Sequence, residues 1–336
     1  MIKSIEIFND YVKILDQTKL PLEETYLEIT DYKEMIEAIK KLKIRGAPAL
    51  GIAAAATAYL ALKKCSRKNY SDYFEKVIKQ IEESRPTAVN LFMATRKIKD
   101  FLLRNKKINK TELEQKVFNY TEQLTRKEIK SCLDMAENGL KLFPKKRKLS
   151  VLTHCNTGSL ATVGIGTALG LIRKLNEVYD LTVFVDETRP LLQGSRLTMW
   201  ELLKDRIKAR LISDNMAAHI VQTRKIDAIM TGADRIAQNG DSANKIGTMN
   251  LAILAKHFEI PFYIVAPETT IDKNISSGKE ISIEQRNKKD VTCFNGLYSA
   301  PPNSPAENPA FDVTPAKLIN AIITDKKNYF FPYNFS

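Results

Sequence analysis

The sequence is poor in cysteine, histidine and tryptophan, and it has no long uninterrupted apolar run. With 13 glycines and 13 prolines in 336 residues, collagen-like and mucin-like proteins are excluded. The four cysteines form no CxxC pair, which excludes a disulfide scaffold and argues against a structural zinc site; they are Cys65, Cys132, Cys155 and Cys293. This cysteine usage is typical of a reducing cytosol.

The longest nearly charge-free segment, residues 49–62, is shorter than the ~20 residues that cross a bilayer and is mostly alanine. It predicts a buried helix. Acidic residues near the amino terminus stand where a signal peptide has its apolar core. We therefore expect a cytoplasmic protein that does not associate with membranes.

The chain is strongly basic, with 52 Lys and Arg against 39 Asp and Glu and a net charge of +13. Such a charge suits either nucleic acid or an anionic metabolite. The basic residues are dispersed along polar helices and are not interleaved with aromatic ones. The densest run, residues 145–148 (KKRK), directly precedes an apolar segment, which favours a solvated linker. We expect no nucleic-acid partner.

Two regions with different periodicity divide the chain. Short apolar runs in the first thirty residues predict small antiparallel strands at 5–8, 12–15 and 26–29. Helical periodicity from Tyr32 to about Leu142 predicts four or five helices. Their predicted breaks are Arg45-Gly46, Asn69-Tyr70, Arg85-Pro86-Thr87 and residues 105–110.

After the basic run, apolar β segments alternate with helical segments, which is typical of a parallel sheet with helices on both faces. The predicted strands are Leu149–Thr153, Leu181–Val185, Ala209–Ile212, Ile226–Met230 and Pro261–Val265. The sequence therefore predicts an α/β protein: a mostly helical amino-terminal domain over 1–145 and a Rossmann-like catalytic domain over 146–336. A proline-rich loop at 301–309 and a last helix over Thr314–Lys326 complete the prediction.

Ligands of open parallel sheets bind at the carboxyl ends of the strands, and the segments there are polar. They are 154–158 (HCNTG), 186–190 (DETRP), 214–215 (DN) and 232–235 (GADR). Cys155 lies between a strand and a helix expected from about Ser159, whose amino terminus favours a thiolate or a phosphate. A buried, inert cysteine is the alternative.

Asp234 follows an apolar strand, so desolvation would favour a protonated general acid there; a helix cap or an ion pair with Arg235 is the alternative. Residues 240–245 (GDSANK) offer amide and ammonium donors suited to a sugar phosphate. The glycine run 164–170 is spaced GxGxxxG, and we interpret it as close packing inside a helix. Motifs for nucleotide hydrolysis, zinc proteolysis and calcium binding are missing.

Several segments, in order and over nearly the whole chain, resemble the S-methyl-5-thioribose-1-phosphate isomerase family. They are 44–49 (IRGAPA), 85–91 (RPTAVNL), 153–158 (THCNTG), 187–196 (ETRPLLQGSR), 232–236 (GADRI), 240–248 (GDSANKIGT) and 309–315 (PAFDVTP). The larger group includes ribose-1,5-bisphosphate isomerases and regulatory subunits of a eukaryotic initiation factor. The uninterrupted HCNTGSLAT segment resembles the methylthioribose branch.

The resemblance implies an aldose–ketose isomerase of methionine salvage that works as a homodimer without metal or nucleotide cofactor. It implies catalytic roles for Cys155 and Asp234. It also implies a cleft between the two domains, with phosphate and sugar hydroxyls held by Arg45, Gly46, Ala47, Arg85, Gln193, Asn244 and Lys245. Proton transfer and hydride shift both stay open as routes, and 5-deoxyribose 1-phosphate is a possible second substrate. A sugar-phosphate-sensing regulatory subunit is the competing hypothesis from another class of protein.

Overall fold

The computed structural model describes residues 2–65, 70–85, 88–104, 108–144, 147–294 and 296–335. Contacts between Cα atoms divide it into two compact units. Unit 1 comprises residues 1–130 and 159–166, and unit 2 comprises residues 131–158 and 167–336. The domain boundary at 145/146 stays a prediction. The compact units are a separate division of the chain, in which unit 1 first ends at Lys130. Within the described ranges, none of the helices combines the length and the apolar character that crossing a bilayer requires.

Unit 1 begins with a three-stranded antiparallel sheet in the order β1-β2-β3, which confirms the predicted strands. Five helices follow, the last of which ends in unit 2. The elements are β1 (Ile5–Ile7), β2 (Val12–Leu15), β3 (Tyr26–Ile29), α1 (Tyr32–Lys40), α2 (Ala47–Lys64), α3 (Tyr70–Ser84), α4 (Val89–Arg104) and α5 (Lys110–Leu140). The predicted breaks at Arg85-Pro86-Thr87, Asn69-Tyr70 and 105–110 fall partly or wholly outside the described residues.

Helix α2 is the buried helix that the alanine-rich segment predicts. All of its residues from Ala49 to Leu62 are buried, because small side chains let α1, α3 and α4 pack closely around it. It begins after Gly46, whose φ of 96° is readily adopted only by glycine. A Cβ at Gly46 would meet the Ala161 carbonyl oxygen at 2.2 Å. The start of α2 therefore depends on a glycine at this position.

The main sheet of unit 2 has seven strands in the order β16-β15-β10-β7-β4-β5-β6. All pairs are parallel except β15 with β16, the antiparallel edge strand. Helices flank the sheet. In chain order the elements up to β7 are β4 (Lys148–Thr153), α6 (Ala168–Asn176), β5 (Asp180–Asp186), α7 (Met199–Lys204), β6 (Ala209–Ile212), α8 (Ala217–Arg224) and β7 (Ala228–Thr231).

A second, four-stranded sheet follows β7 in the chain, and the sequence did not predict it. Its order is β11-β8-β9-β14, and β9 pairs antiparallel with β8 and with β14. The remaining elements are β8 (Arg235–Ala237), β9 (Ser242–Lys245), α9 (Thr248–His257), β10 (Phe262–Val265), β11 (Ile271–Asp272), α10 (Lys289–Thr292), β12 (Cys293–Phe294), β13 (Leu297–Tyr298), β14 (Phe311–Thr314), β15 (Ala321–Ile323) and β16 (Asn328–Phe330).

The order of the six parallel strands identifies the sheet as Rossmann-like. Taken in chain order, β4, β5, β6, β7, β10 and β15 lie in the arrangement 3-2-1-4-5-6. The chain reverses direction across the sheet between β4 and β7, and ligands of such sheets bind at this switch point. The α/β fold class predicted from the sequence is thus confirmed, including the five parallel strands recognised by their apolar runs.

The predicted last helix over Thr314–Lys326 is wrong. Thr314 ends β14, and residues 321–323 form β15, which pairs with β10 in the register Ala321↔Tyr263. Ile319, Ile322 and Ile323 have the three- and four-residue spacing of a helix face. All three are buried, but Ile319 follows a short 3-10 turn at Ala316–Leu318, and Ile322 and Ile323 lie in β15. Tertiary packing here outweighs local periodicity.

The predicted helix start near Ser159 is also wrong, because α6 begins only at Ala168. The glycine run 164–170 therefore lies mostly before the helix, and Gly166 has a φ of 97° that a helix does not contain. Carbonyl groups of residues 160–162 are satisfied by groups of unit 1 without a helix. Gln17 Nε2 donates to Leu160, Ala49 N to Ala161 and Ser4 Oγ to Thr162.

Candidate functional site

The loops after β4 and β7 lie side by side at the switch point of the main sheet. Thr153 pairs with Met230, and its hydroxyl donates to the Met230 carbonyl at 2.9 Å. Further along, a Cβ placed on Gly232 would lie 2.9 Å from Thr157 Cγ2. The loop that carries Cys155 therefore contacts the loop that leads to Asp234, as the strand order requires.

Cys155 is buried in a backbone conformation that side chains rarely adopt. Its φ is 61°, and its side chain is 8% exposed. Its N–H donates to Thr188 Oγ1 at 2.8 Å, and its carbonyl accepts from Thr198 Oγ1 at 2.6 Å. Left-handed backbone at a residue other than glycine costs free energy, persists only where neighbours enforce it and is concentrated at functional sites.

The electrostatic basis on which the sequence predicted a reactive Cys155 is not present. Because α6 starts at Ala168, the thiol does not stand at a helix amino terminus. The polar environment comes instead from loops. Thr188, which binds the Cys155 N–H, is itself held by Asp214, whose carboxylate accepts from the N–H groups of Thr188 and Arg189 at 2.7 Å each.

A fully buried carboxylate supports the cysteine loop from within unit 2. Glu201 Oε1 accepts from Asn156 Nδ2 at 2.8 Å, and Glu201 Oε2 accepts from Arg173 at 2.9 Å. Arg173 also donates to Asp205 at 2.7 Å. A Cβ on Gly158 would lie 2.4 Å from the Glu201 carboxylate. This network fixes the segment that follows Cys155 and explains the glycine at 158.

His154 and Asp186 form a second buried pair beside the cysteine. His154 Nδ1 lies 3.0 Å from Asp186 Oδ2, and Nε2 lies 2.8 Å from the Ile246 carbonyl oxygen. Burial opposes protonation of the imidazole, but the hydrogen bond and charge of Asp186 outweigh it and raise the pKa of His154. Burial raises the pKa of Asp186 to about 6, although His154 opposes this. The two side chains therefore share a buried hydrogen bond and titrate as a pair.

Asp234 is exposed, which removes the desolvation that the sequence predicted for its carboxyl group. Its N–H donates to the Ala243 carbonyl at 2.8 Å, which ties it to β9. For the alternative of an ion pair with Arg235, the structure shows the Arg235 guanidinium 3.9 Å from the Asp272 carboxylate. Asp234 thus stands at the open side of the switch point.

Asn244 and Lys245 are buried neighbours at the end of β9. Asn244 Nδ2 donates to Thr248 Oγ1 at 2.9 Å, at the start of α9. Lys245 Nζ donates to the Ala310 carbonyl at 2.7 Å and lies 4.3 Å from the centre of the Phe311 ring. Adjacent residues of a strand point to opposite faces, so the two side chains have different surroundings.

Gln193 is buried next to the π-helical turn Gly194–Thr198 that precedes α7. Its Oε1 has no hydrogen-bond partner among the described residues. A buried amide oxygen without a partner costs free energy, which a bound hydroxyl group would recover. The unpartnered oxygen makes Gln193 a candidate for binding a hydroxyl group, which its position in the sequence did not indicate.

The other predicted substrate-binding residues lie in unit 1. Arg45, Gly46 and Ala47 form the start of α2, which has no side-chain cap. Arg85 directly follows α3, and Gly51 of α2 lies against Asn90 of α4, with a Cβ distance of 3.1 Å to the Asn90 carbonyl. The amino-terminal turn of α4 therefore lies against α2 about one turn after that helix begins. Two helix amino termini with arginines nearby favour an anion.

One cluster among the described residues has the donor set of a metal site. His154, Asp186 and Asp214 place one ligand atom each within 4.8 Å of one another. The same atoms take part in hydrogen bonds: Nδ1 of His154 with Asp186, and the carboxylate of Asp214 with two backbone N–H groups. The cluster forms a continuous hydrogen-bonded network within the protein.

Sequence reasoning missed the residues that support the cysteine loop. Thr188, Thr198 and Glu201 act through contacts between segments that are far apart in the chain. A fully buried glutamate in the short α7 gives no signal in a single sequence, because it is indistinguishable from an exposed one. For Asp186 and Asp214 a signal did exist, since Asp186 directly follows one predicted strand and Asp214 lies two residues after another.

A doubly wound sheet with a strained cysteine and polar loops at its switch point defines an α/β protein of the small-molecule-binding class. Residues 43–327 match the model of the initiation factor 2 subunit family. The methylthioribose-1-phosphate isomerase of Thermoanaerobacter sp. (strain X514) is 46% identical over 329 residues, which cover 97% of this chain and 95% of that protein.

Two crystal structures are similar over nearly the full length. The 5-methylthioribose 1-phosphate isomerase from Pyrococcus horikoshii OT3 has a TM-score of 0.93 and 39% identity, covering 99% of this chain and 94% of that one. The translation initiation factor eIF-2B, subunit delta, from A. fulgidus has a TM-score of 0.88 and 37% identity, covering 99% and 97%. The chain belongs to the methylthioribose-1-phosphate isomerase family and is an isomerase.

Proposed function

We propose that the protein converts 5-methylthioribose 1-phosphate to 5-methylthioribulose 1-phosphate in methionine salvage, with Cys155 and Asp234 as its acid/base pair. The observation that carries the proposal is the reversal of strand order between β4 and β7. It brings the loops of both residues to one edge of the sheet, where Gly232 meets Thr157. Family membership supplies the reaction class.

The roles of the other residues follow from their chemistry. The arginines and helix amino termini at residues 45–47 and at Arg85 suit the phosphate. Asn244 and Gln193 suit the sugar hydroxyls, because the first presents an amide at the end of β9 and the second has an unpartnered buried oxygen. Lys245 is held in place by the Ala310 carbonyl, which suits a point charge directed at an anion.

In the proton-transfer route, bound substrate shields Asp234 from water and so favours its protonated form, which donates its proton to the ring oxygen as the C1–O bond breaks. The resulting oxocarbenium ion acidifies the hydrogen on C2, which the Cys155 thiolate removes to give an enol. The thiol then returns this proton to C1. The Asp234 carboxylate takes the proton of the C2 hydroxyl, so both residues end in their starting forms.

The hydride route shares the ring opening by Asp234 but moves the C2 hydrogen to C1 with its electron pair. Cys155 then deprotonates the C2 hydroxyl as the ketone forms. Turnover in D₂O separates the two routes. Deuterium on C1 of the product indicates proton transfer through an exchanging thiol. Complete retention of hydrogen excludes exchange and agrees with the hydride shift or with a thiol shielded from solvent.

The direct test is turnover of purified protein with sugar phosphates, followed by ¹H and ³¹P NMR. We expect the ketose phosphate from methylthioribose 1-phosphate. Losing the apolar methylthio group should cost about 1–3 kcal/mol in kcat/KM, so 5-deoxyribose 1-phosphate should react more slowly. Ribose 1,5-bisphosphate should react poorly or not at all, since burying a second phosphate without partners costs several kcal/mol. Faster turnover of the bisphosphate would overturn this substrate assignment.

A second candidate function is that of a regulatory subunit that binds a sugar phosphate without turnover. The 37% identity to a structure named as an initiation factor subunit favours it. Binding measured by calorimetry without any product would support it against the isomerase. A homodimer and a cytoplasmic location belong to the main proposal, and sedimentation at micromolar concentration tests the first of them.

A further inference from the structure

The imidazole of His154 joins three loops that carry candidate site residues. Its backbone adjoins Cys155, its Nδ1 meets Asp186 at the end of β5, and its Nε2 meets the Ile246 carbonyl, directly after Lys245. His154 is 1% exposed, so water does not compete for either ring nitrogen. The ring thus spans from the cysteine loop to the end of β9.

The loop that receives Nε2 is held from its other side as well. Gly247 N and Met249 N donate to Asp312 Oδ2 at 2.7 and 3.2 Å, and Ile246 N donates to the Ala310 carbonyl. Gly247 has a φ of 100°, and a Cβ there would lie 2.9 Å from the His154 ring. The loop packs directly on the imidazole, so the position of the ring fixes the position of the loop.

The partners of the ring determine which nitrogen carries a proton. The Ile246 carbonyl oxygen accepts only, so Nε2 must be the donor. A second proton lies in the hydrogen bond between His154 Nδ1 and Asp186 Oδ2, bound to one of these two atoms. Asp214 after β6 and Asp312 on β14 add negative charge on two further sides. His154 therefore has no nitrogen available for acid or base chemistry with substrate.

We infer that His154 is a positioning residue, which fixes Asn244 and Lys245 relative to Cys155 through its Nε2 hydrogen bond to Ile246. The inference rests on the proposed function, because it takes β9 as part of the substrate site. Among the described residues, β9 and β4 belong to different sheets and do not pair. The imidazole therefore links the loop that carries Cys155 directly to the segment that follows Asn244 and Lys245.

Two variants separate the two halves of the connection. In His154→Gln the amide nitrogen replaces Nε2 and keeps the donor to Ile246. In His154→Asn the amide nitrogen replaces Nδ1, which keeps the donor to Asp186 and loses the one to Ile246. Each variant loses one buried hydrogen bond, so a purely structural role would impair both to the same extent.

We expect His154→Asn to lower kcat/KM by about 10²-fold, mostly through KM, because the binding strand is displaced from the cysteine. His154→Gln should stay within about tenfold of the wild type. His219→Asn and His257→Asn, at exposed positions, are the matched controls and should be unchanged. Equal loss in the two His154 variants, or no loss in either, overturns the inference. Lack of turnover by the wild type overturns the proposed function instead.

A measurement on the unmodified protein tests the inference without turnover or refolding. In ¹⁵N NMR of the three histidines, assigned with the two control variants, Nε2 of His154 should stay protonated across the whole pH range in which the protein is folded. An unprotonated Nε2 in His154 at neutral pH would overturn the inference, because such a nitrogen cannot donate to Ile246.

Discussion

The two units differ in what they bury. In the described part of unit 1, the interior is mostly apolar, and one charged side chain, Asp16, is buried, with its carboxylate 3.4 Å from Lys43 Nζ. In unit 2, His154, Asp186, Glu201 and Lys245 are all buried. Burying such groups costs free energy unless each one is partnered. These buried charges are concentrated near the ends of β4, β5 and β9, where the proposed function places the chemistry.

The largest expected effect comes from replacing the two proposed catalytic residues of unit 2 without disturbing its interior. Cys155→Ala and Asp234→Asn should each lower kcat by about 10²- to 10⁴-fold, the usual effect of losing a positioned acid or base. The folded structure should be retained. Steady-state kinetics and thermal melting measure the two effects separately.

Cys132→Ala is the matched control for the cysteine, since Cys132 is also buried and the proposed function gives it no role. Its kcat should equal that of the wild type. Near-normal turnover of Cys155→Ala or Asp234→Asn would remove that residue from the mechanism.

A large effect on stability is expected from the buried carboxylate of unit 2. Glu201→Ala removes one buried acceptor from Arg173 and one from Asn156, so it should lower the free energy of unfolding by about 3–5 kcal/mol. Glu177→Ala is the matched surface control, because Glu177 forms an exposed ion pair with Lys174 and should cost at most about 1 kcal/mol. Denaturant titration measures both. Equal costs would show that the buried network adds no stability.

A smaller effect is expected when the apolar interior of unit 1 is trimmed. Ile78→Val removes one buried methylene group from α3 and should cost about 0.5–1.5 kcal/mol without any change in kcat. The same denaturant titration and kinetics apply. A loss of kcat without a loss of stability would contradict the claim that the interior of unit 1 contributes to stability and not to catalysis.

The smallest expected effect is a pH dependence of stability at Asp241. Burial opposes its ionisation, but hydrogen bonds from Asn239, Ala316 and Gly278 outweigh this and lower the pKa of Asp241. The stabilisation is present above the usual pKa of a carboxyl group, about 4, and is lost as the pH falls through the lowered value. The difference in Tm between wild type and Asp241→Asn should therefore shrink below about pH 4. A difference that is constant from pH 7 to 3 would speak against this ionic contribution.

The parallel strands were predictable from sequence because each is a short, continuous apolar run bounded by polar residues. The carboxyl-end rule then pointed to Cys155 and to Asp234, whose role stays a prediction. The segment 159–167 was not predictable. Its apolar pattern fits a helix, but tertiary hydrogen bonds from Ser4, Gln17 and Ala49 satisfy its carbonyl groups in an irregular conformation.

The second sheet escaped prediction for a related reason. Strand β9 reads SANK, a polar sequence without alternation, and it is a buried central strand paired with β8 on one side and β14 on the other. Burial of this kind depends on residues 311–314, far along the chain. The supporting contacts of Glu201 and Thr198 likewise exist only once the sheet has formed. Local patterns therefore indicate the scaffold and the chemical groups, but not the network that holds those groups in place.

The most direct test of the central claim, that Cys155 and Asp234 act together at the switch point, is the kcat of the double variant Cys155→Ala/Asp234→Asn. Residues that serve one reaction as a unit lose activity non-additively. The double variant should therefore be about as slow as the slower single variant. A loss equal to the product of the two single losses would contradict the claim, because it would show that the two residues contribute independently.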